Sequence, residues 1–497
     1  MQQFDVVILG AGFGGSLTAL LLDRIGFSVA LIDRGKHPRF AIGESSTPIA
    51  GYLLQSLSEQ YDLPQFQPFC KYGSWQQSYP GLACGIKRGF SYFSQEPLQN
   101  FHVKPDHGSE LLVTANLSDA LAETHWYRAD VDCFFADEVK KSKVVYLDQT
   151  KVSVNRSHVW EISGERTGEQ IALRAAFLID ATGAAGIVPH ALRIKRQTEF
   201  LTNSTAIYGH FEKVTPWAKI LDRCHVSRSD YPFDCDHSAL HHVLSEGWMW
   251  QLRFNNGITS AGFVLDGEQK TGSVEQLWAS LLESYPAIAS QFEGASLVAP
   301  ESGLVSTRRL QRGWKMCAGA DWALLPHTAG FIDPLHSTGI AHTLCGIERL
   351  VAALEKAWGT DGLPEAMSDY SESVQTELAL IDELVAGCYR SLPHFDLFAA
   401  STMFYFAAAT RFEHLRCREG EKPLFLCADD VGFRNVTRAW LDRIASIQQQ
   451  ADCEINEFRE AIVDAENLLK PWNRVGLFHP AVPNMYYYTA APESEPR

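Results

Sequence analysis

The first part of the chain alternates apolar runs with a small-residue segment in the order that is typical of a βαβ unit. Residues 6–9 are apolar and mostly branched, which predicts a buried parallel strand. A glycine-rich turn, a helical segment at residues 16–25 and a second apolar run at residues 28–32 follow, and this run ends at Asp33. The pattern therefore predicts two neighbouring parallel strands joined by a helix.

The turn after the first strand carries the spacing Gly-x-Gly-x-x-Gly at Gly10, Gly12 and Gly15, with a further glycine at Gly14. In such a turn the first glycine allows the sharp bend, the second lets the backbone approach a pyrophosphate, and the third allows the helix to pack closely. The free N–H groups at the helix start favour an anion. With Asp33 placed to accept hydrogen bonds from ribose, the pattern predicts a dinucleotide site but does not distinguish FAD from NAD.

Two later segments are predicted to return to the same edge of the sheet. Residues 176–179 form a buried strand that ends in Asp180 and leads through a small-residue turn to Gly183. Farther on, a strand-like segment contains Asp321, and residues 330–341 place a glycine and small residues before a helix. Such a helix start offers backbone N–H groups to an anionic or carbonyl atom of a ligand.

The rest of the pattern divides the chain into regions of different secondary structure. Residues 117–139 have a helical pattern that includes His125 and Arg128, and residues 144–173 contain short strands. We expect an α/β fold with a discontinuous nucleotide-binding domain at residues 1–200 and 301–356, to which 60–100 add part of the substrate cavity. An antiparallel-sheet substrate domain is expected at residues 201–300, and a mostly helical C-terminal region at 357–497.

Composition narrows the classes of partner. The chain has 497 residues, of which 46% are hydrophobic and 21% charged, and its formal net charge is -16. This length predicts more than one lobe, and the negative charge argues against nucleic acid or anionic membrane as partners. No apolar run reaches the length of a membrane span, and the 11 cysteines show neither a CxxC pair nor metal-like spacing. We therefore expect a cytoplasmic protein with reduced thiols and no metal site.

The stations described so far resemble the FAD-dependent monooxygenase superfamily with the hydroxybenzoate-hydroxylase-like fold. They occur in the family's order: the glycine turn, Asp33, Asp180 with Gly183, and Asp321 with Asp333-Pro334. The resemblance implies a Rossmann-type core that binds FAD. The predicted contacts to the cofactor are Gly10, Gly12, Gly14, Gly15, Asp33, Arg34, Ser45, Arg128, Asp180, Gly183, Asp321, Pro334, Ser337, Thr338, Gly339 and Ile340. For Arg128, a surface ion pair with Asp130 or Asp132 is the alternative.

A narrower resemblance is to the flavin-dependent halogenases of the tryptophan-halogenase family. Their Gly-Trp-x-Trp element is similar to the segment with Trp248 and Trp250, and their lysine on a strand corresponds to Lys87. Their Gly-Glu-Ser loop and their Pro-Leu-Glu-Ser-Thr-Gly-Ile segment correspond to residues 43–48 and 334–340. The second segment departs from the family at His336, where the tryptophan-specific enzymes have glutamate. The resemblance therefore does not imply that tryptophan is the substrate.

The resemblance implies that FADH2, O2 and halide give hypohalous acid, which Lys87 relays to an aromatic substrate. The tryptophan pair would line the wall between flavin and substrate, and His336 would serve as general base for a phenol or indole. The substrate, phenolic or indolic, would be free or tethered to a carrier protein, and a separate reductase would supply FADH2. Each residue also has a structural alternative: an exposed strand lysine, a core aromatic pair and a hydrogen-bonded histidine.

Two further functions remain open on the sequence. The departures at His336 and at Arg253, where the family has proline, favour a flavin monooxygenase or oxidase that acts without halide. A protein that binds flavin without catalysis is a third possibility, against which the retention of each flavin station argues.

Overall fold

The computed structural model describes residues 2–104, 107–267, 272–449, 455–478 and 485–486. Its first strands are β1 Gln2–Leu9, β2 Val29–Ile32, β3 Cys84–Lys87, β4 Gly89–Ser94, β5 Glu110–Thr114, β6 Glu123–Trp126, β7 Val145–Leu147, β8 Thr150–Arg156, β9 Trp160–Arg166, β10 Glu169–Asp180 and β11 Arg196–Gln197. The later strands are β12 Ser204–Glu212, β13 Ala239–Leu244, β14 Gly247–Arg253, β15 Ile258–Asp266, β16 Ser296–Ala299, β17 Val305–Thr307, β18 Arg312–Trp314, β19 Ala318–Gly319, β20 Trp322–Leu324, β21 Gly330–Phe331 and β22 Met485–Tyr486.

The longest helices lie in the last third of the chain, from Thr338 onward. They are α1 Phe13–Arg24, α2 Pro48–Gln60, α3 Tyr72–Ser78, α4 Arg128–Lys140, α5 Ile187–Ala191, α6 Trp217–Arg223, α7 Val274–Ser284, α8 Pro286–Phe292, α9 Pro326–Ala329, α10 Thr338–Ala357, α11 Leu363–Ser391, α12 Phe395–His414, α13 Val431–Gln448 and α14 Ile455–Leu469. None of the helices in the described ranges combines the length and the apolar composition that a bilayer crossing requires.

The chain divides into two compact units. The first unit comprises Met1–Cys70, Trp126–Glu199 and Gln311–Leu378. The second comprises Lys71–His125, Phe200–Leu310 and Ala379–Arg497. The mixed α/β class with a Rossmann-type core, an antiparallel sheet and a helical C-terminal region is confirmed, while the domain boundaries expected from the sequence stay a prediction.

The first unit contains a sheet whose strand order is β19-β20-β10-β1-β2-β7. The strand β1 pairs in parallel with both β2 and β10, and β20 pairs in parallel with β10. The predicted βαβ unit is therefore present, with α1 joining β1 to β2. Because these strands are parallel, their carboxyl ends meet at one edge, where ligands of this kind of sheet bind.

The second unit contains a nine-stranded sheet with the order β16-β12-β15-β14-β13-β4-β5-β22, in which β17 also pairs with β12. Its strands β12, β13, β14 and β15 are antiparallel neighbours. On one face, Phe93 packs edge-on against Trp217 of α6, and Phe263 packs against Trp278 of α7. Since side chains alternate along a strand, Tyr92 lies on the opposite face, where it contacts Phe398 of α12.

The helical pattern at residues 117–139 is only partly correct. The structure has the strand β6 at Glu123–Trp126, and α4 begins at Arg128. The strand pairs with β3 in a two-stranded sheet, and each of its four residues is buried. Pairing and burial thus override the helical pattern, and His125 lies in a strand instead of a helix.

Candidate active site

In the glycine turn after β1, Gly10 and Gly15 leave no room for a side chain. Gly10 has a φ of +100°, and a Cβ atom there would lie 2.5 Å from the carbonyl oxygen of Ala181. A Cβ atom on Gly15 would lie 1.9 Å from the carbonyl oxygen of Gly10. Gly14 faces Thr343 and His327 at 3.1 and 3.2 Å from its notional Cβ atom. The turn therefore keeps the start of α1 close to the sheet edge with bare backbone.

Asp33 closes β2 at the same edge and is almost completely buried. Its carboxylate accepts hydrogen bonds from the N–H groups of Ala11 and Gly35, both at 2.7 Å. Arg39 donates two more, at 2.6 and 2.8 Å. Burial alone would raise the pKa of Asp33, but the Arg39 guanidinium and the backbone donors hold it below its usual value. Arg34 follows as an exposed residue.

Arg128, the first residue of α4, lies beside the start of α1. It donates to Asp132 with two nitrogens, at 2.9 and 2.8 Å, and to the carbonyl oxygen of Gly43 at 3.1 Å. Its guanidinium carbon lies 4.9 Å from the ring centroid of Phe13, and one of its nitrogens lies 3.7 Å from a notional Cβ atom on Gly12. The predicted ion pair with Asp132 and the position beside the glycine turn therefore both occur.

Asp180 ends β10 and organises the third side of this edge. Its carboxylate accepts hydrogen bonds from the N–H and hydroxyl of Thr182, at 2.9 and 2.6 Å, and from the N–H of Val188 at 2.8 Å. Burial raises the pKa of Asp180, and these donors oppose that rise. Gly183, with a φ of +62°, donates to the hydroxyl of Thr328 at 2.9 Å. Asp180 thus shapes the turn that carries Gly183.

Asp321 does not reach the edge that the sequence predicted for it. It precedes β20, whose residues Trp322 and Leu324 pair with Leu178 and Asp180, so it lies at the amino-terminal end of that strand. Its carboxylate accepts a hydrogen bond from Arg156 at 2.8 Å. Cofactors bind at the carboxyl end of such strands, so this position argues against Asp321 as a partner of the ribityl chain, and the assignment stays a prediction.

His327 occupies the position at which Asp321 was expected. It lies in α9, directly after β20, and its Nε2 is 3.1 Å from the carbonyl oxygen of Ala181. Burial lowers the pKa of His327 to about 4, so the ring is neutral at physiological pH. His327 is not among the residues predicted from the sequence, although a count from the apolar strand places it at the carboxyl end.

The segment before α10 is buried up to the start of the helix. Asp333 accepts a hydrogen bond from the N–H of Leu335 at 3.0 Å, and Ser337 donates its N–H to the carbonyl oxygen of Pro334 at 2.9 Å. Ser337 has a φ of +53°, in the left-handed region. The predicted cofactor contacts Ser337, Thr338 and Ile340 and the predicted catalytic residue His336 are all buried here, whereas the notional Cβ atom of Gly339 meets no atom within 4 Å. A ligand can therefore approach the backbone at Gly339.

Lys87 ends β3 in the second unit and is 1% exposed. Its ammonium nitrogen lies 4.0 Å from the ring centroid of Phe90. Burial lowers the pKa of Lys87 to about 7, and the negative charge of Glu123 opposes that decrease. A lysine with such a pKa is present as amine and as ammonium near neutral pH.

Five ring-bearing residues line the sheet face next to Lys87. They are Phe90, Tyr92, His241, Trp248 and Trp250, and we call them the aromatic cluster. Ring centroids are 6.2 Å apart for Phe90 and Tyr92, 4.6 Å for Tyr92 and His241, 5.1 Å for His241 and Trp248, and 6.1 Å for Trp248 and Trp250. The rings therefore form a continuous series from the lysine to the tryptophan pair.

Hydrogen bonds to neighbouring elements fix the two tryptophans. Trp248 donates its indole N–H to the hydroxyl of Tyr389 at 3.1 Å, and Trp250 donates to Ser260 at 3.2 Å. The Trp250 ring lies over Gly262, where a Cβ atom would come within 2.3 Å of it. This packing leaves the orientation of both rings defined before any ligand binds.

Arg253, which stands where the family element has proline, has a structural role. Its guanidinium donates to Asp236 at 2.8 Å and to the carbonyl oxygen of Val214 at 2.9 Å. The carboxylate of Asp236 also accepts from the backbone N–H groups of Trp217 and Ala218 at the start of α6. The departure at Arg253 is thus accounted for by an ion pair at the end of β14.

A family model described as tryptophan halogenase matches residues 124–396, more than half of the chain. The chain belongs to the tryptophan halogenase family. This halogenase is 28% identical to monodechloroaminopyrrolnitrin halogenase PrnC of Pseudomonas fluorescens, over 95% of this chain and 86% of that protein. It is 27% identical to tetracycline 7-halogenase of Kitasatospora aureofaciens, over 80% and 71% of the two chains.

Solved structures of relatives have the same fold. The crystal structure of halogenase PltM aligns with a TM-score of 0.83 and 25% identity, and covers 96% of this chain and 98% of that one. PltM in complex with phloroglucinol and FAD aligns with a TM-score of 0.82 and 25% identity over 95% and 97%. This halogenase is accordingly a flavin-dependent oxidoreductase, and its cofactor is FAD.

The residues of the first unit fit FAD. Gly10 and Gly15 in the glycine turn have no space for a side chain, Gly339 faces open space, and the buried carboxylate of Asp33 lies at the end of β2. The hydroxyl oxygen of Ser45 is shielded from solvent and has no hydrogen-bond partner within the described part of the chain. A buried polar atom of this kind is normally satisfied, and a bound ligand would provide its partner.

The predicted site residues fall into two groups. The residues predicted to bind FAD and His336 belong to the first unit, and Lys87, Trp248 and Trp250 belong to the second. The structure adds two residues that were not predicted from the sequence, His327 in the first unit and Glu123 in the second. The local sequence around Glu123 does not distinguish a buried carboxylate from a surface one. Only the pairing of β3 with β6 shows that Glu123 is buried near Lys87.

Proposed function

We propose that this halogenase uses Lys87 to deliver an electrophilic halogen to an aromatic ring bound against the aromatic cluster. The observation that carries the proposal is the burial of Lys87 beside Phe90 together with a pKa of about 7. An ordinary exposed lysine would be ammonium at neutral pH and would have no aromatic surroundings. Both properties suit a group that handles a reactive halogen away from water.

We propose that FAD is held by the glycine turn, Asp33, Arg128 and the backbone at the start of α10, with His327 added and Asp321 removed from the predicted set. When bound and reduced, FAD supplies, with O2 and halide, the oxidation of halide to hypohalous acid. In this arrangement the neutral ring of His327 adds no positive charge at the carboxyl end of β20.

Lys87 reacts with or binds the hypohalous acid by one of two routes. As ammonium it donates an N–H hydrogen bond to HOX, and the aromatic ring then attacks the halogen. As amine it attacks the halogen itself, which forms an N–X bond and releases water, and the ring then takes the halogen from nitrogen. In both cases the ring loses one proton, and the sum is Ar–H + HOX → Ar–X + H2O.

The aromatic cluster performs two tasks in this proposal. Its apolar surface excludes water, which would otherwise compete with the ring for the halogen. Flat rings also favour a flat aromatic substrate by stacking and edge contacts. We propose that Trp248 and Trp250, fixed by Tyr389 and Ser260, form the wall that keeps the substrate near Lys87.

We propose a small, electron-rich aromatic substrate, phenolic or indolic. Relatives are named for action on monodechloroaminopyrrolnitrin and on tetracycline, and PltM has been crystallised with phloroglucinol. His336, which is buried before α10, is proposed as the general base that takes the proton of the ring substituent. Halide as co-substrate, a separate reductase that supplies FADH2, and a substrate that is free or tethered to a carrier protein complete the proposal.

Incubation with FADH2, O2 and bromide over a panel of phenols and indoles tests this function by product mass. A brominated product from the wild type, and none from Lys87→Met with FAD affinity unchanged, is the expected result. Oxygen incorporation that needs neither bromide nor Lys87 would instead establish a monooxygenase. FAD binding without coupled oxidation of any substrate would leave a non-catalytic flavoprotein.

Lys219→Met is the matched control, because Lys219 lies exposed on α6 of the same unit. This variant is expected to brominate at the wild-type rate. Addition of free hypobromous acid to the wild type and to Lys87→Met tests the role of the lysine further. If both proteins give the same product ratio, Lys87 does not direct the halogen.

A further inference from the structure

The pairing of β3 with β6 brings a buried carboxylate to the strand of Lys87. Glu123 and Lys87 are each 1% exposed, and His125 is fully buried. A notional Cβ atom on Gly85 lies 3.1 Å from Cδ2 of His125. Because alternate residues share one face of a strand, Lys87 lies on the face of Gly85, and Glu123 on that of His125. The two ionisable groups thus belong to one buried neighbourhood.

Glu123 is shared between two lysines. It forms an ion pair with Lys71 at 2.5 Å, in which the carboxylate side chain is 2% exposed and the lysine side chain 27%. The same negative charge attracts the ammonium form of Lys87 and counteracts the effect of burial on its pKa. The other ionisable neighbour on β6, His125, is kept neutral because burial and the charge of Lys87 lower its pKa to about 3. His241 contributes to the same decrease.

We propose that Glu123 is a positioning residue that sets the protonation of Lys87, and that its ion pair with Lys71 limits how strongly it does so. The inference rests on the proposed function, in which Lys87 handles the halogen. When Glu123 loses its charge, nothing from this carboxylate opposes the effect of burial on Lys87, and the population of the amine form increases. When Lys71 is removed, the charge of Glu123 is no longer partly neutralised by an ion pair, and the population of the ammonium form of Lys87 increases.

The two opposite shifts make the proposal testable with Glu123→Gln and Lys71→Met. The midpoint of the pH–rate profile assigned to Lys87 is expected to move to lower pH in Glu123→Gln and to higher pH in Lys71→Met. Each displacement should be about one pH unit or more, since a nearby opposite charge changes a pKa by about 1–3. Glu123→Asp should restore most of the wild-type midpoint, and Lys104→Met, which breaks the exposed pair with Glu96, should leave it unchanged.

A second measurement is independent of catalysis. The pH dependence of the free energy of unfolding is recorded for the wild type, Glu123→Gln and Lys71→Met, and for each with Lys87→Met added. The difference in free energy of unfolding within each pair isolates the contribution of Lys87. The midpoint of its pH dependence should move to lower pH in Glu123→Gln and to higher pH in Lys71→Met. If Glu123→Gln does not fold, the upward displacement in Lys71→Met decides the question alone.

Equal midpoints in both measurements, or displacements in the same direction, would overturn the role of Glu123. Failure of the proposed function has a different signature, because halogenation would then persist in Lys87→Met while the unfolding midpoints still move. A uniform loss of rate at each pH, with no displacement of either midpoint, would mean that Glu123 and Lys71 serve only the fold.

Discussion

The carbonyl oxygen of Arg253 occupies the space that a side chain on Gly85 would need. A Cβ atom built on Gly85 lies 1.9 Å from that oxygen and 3.1 Å from Cδ2 of His125. The strand that carries Lys87 therefore lies in backbone contact with the end of β14, three residues beyond Trp250. This contact ties the position of the lysine to that of the aromatic cluster within the second unit.

Substitution of Gly85 by alanine should destabilise the protein and displace Lys87. We expect a loss of about 1–3 kcal/mol in the free energy of unfolding, the usual effect of overpacking. Halogenation should fall as well, because a displacement of about 1 Å at a reacting group is costly. The matched control is Gly81→Ala, since a Cβ atom there meets no atom within 4 Å. Equal stability of the two variants in urea would contradict the contact.

Lys87 should make the stability of the protein depend on pH above neutrality. Its pKa is about 7 in the folded protein and 10.5 in the reference state, so between these values the unfolded chain binds more protons. Stability therefore rises with pH across this window, by about 1.4 kcal/mol for each tenfold difference in proton affinity. Lys87→Met should flatten the rise and should be the more stable protein at pH 7. Urea unfolding at several pH values measures this dependence. If the free energy of unfolding of Lys87→Met changed with pH in parallel with that of the wild type, the prediction would be refuted.

FAD affinity should separate Asp33 from Asp321, two of the three aspartates that the sequence assigned to the cofactor. Asp33→Asn is expected to weaken binding at least about tenfold, because the amide loses the charge and one acceptor at the end of β2. Asp321→Asn should bind within about twofold of the wild type, since its carboxylate lies at the other end of β20 with Arg156. Flavin fluorescence titration measures both affinities. Equal weakening in the two variants would restore Asp321 to the site.

The sequence predicts the nucleotide side of the molecule well, because each station there is local. The turn from Gly10 to Gly15 requires glycine for reasons of backbone space, and Asp33 and Asp180 each end an apolar strand. The residue types and their spacing lie within a few residues of each other, so a pattern along the chain records them, although Gly10 itself meets the distant carbonyl oxygen of Ala181. The geometry disfavours one assignment there, Asp321, which lies one strand-length before His327.

The second unit is harder to predict, because its important relationships connect distant segments. Glu123 approaches Lys87 only through the pairing of β3 with β6, and residues 117–139 have a helical pattern that conceals that strand. Arg253 departs from the family element, but its ion pair with Asp236 explains the departure without a change of chemistry. Residue type and spacing contain neither relationship.

Glu377 should be the most sensitive carboxylate on α11. It is fully buried, accepts a hydrogen bond from Arg349 at 2.6 Å and lies 3.1 Å from His342 of α10. Burial alone would raise the pKa of Glu377, but Arg349 and His342 lower it to about 2. A depressed carboxyl pKa stabilises the fold above the unfolded value, near 4.5, and this contribution is lost as pH falls toward 2.

Glu377→Gln should therefore cost about 3–5 kcal/mol at pH 7, because it leaves the guanidinium of Arg349 without its charged partner. The difference from the wild type should shrink as the pH falls from 4.5 toward 2, since protonation of Glu377 removes the same charge. Glu372→Gln, on the exposed side of the same helix, should change the free energy by no more than about 0.5 kcal/mol. Urea unfolding of the three proteins at several pH values provides the test. A pH-independent difference would mean that the loss arises from packing instead of from charge.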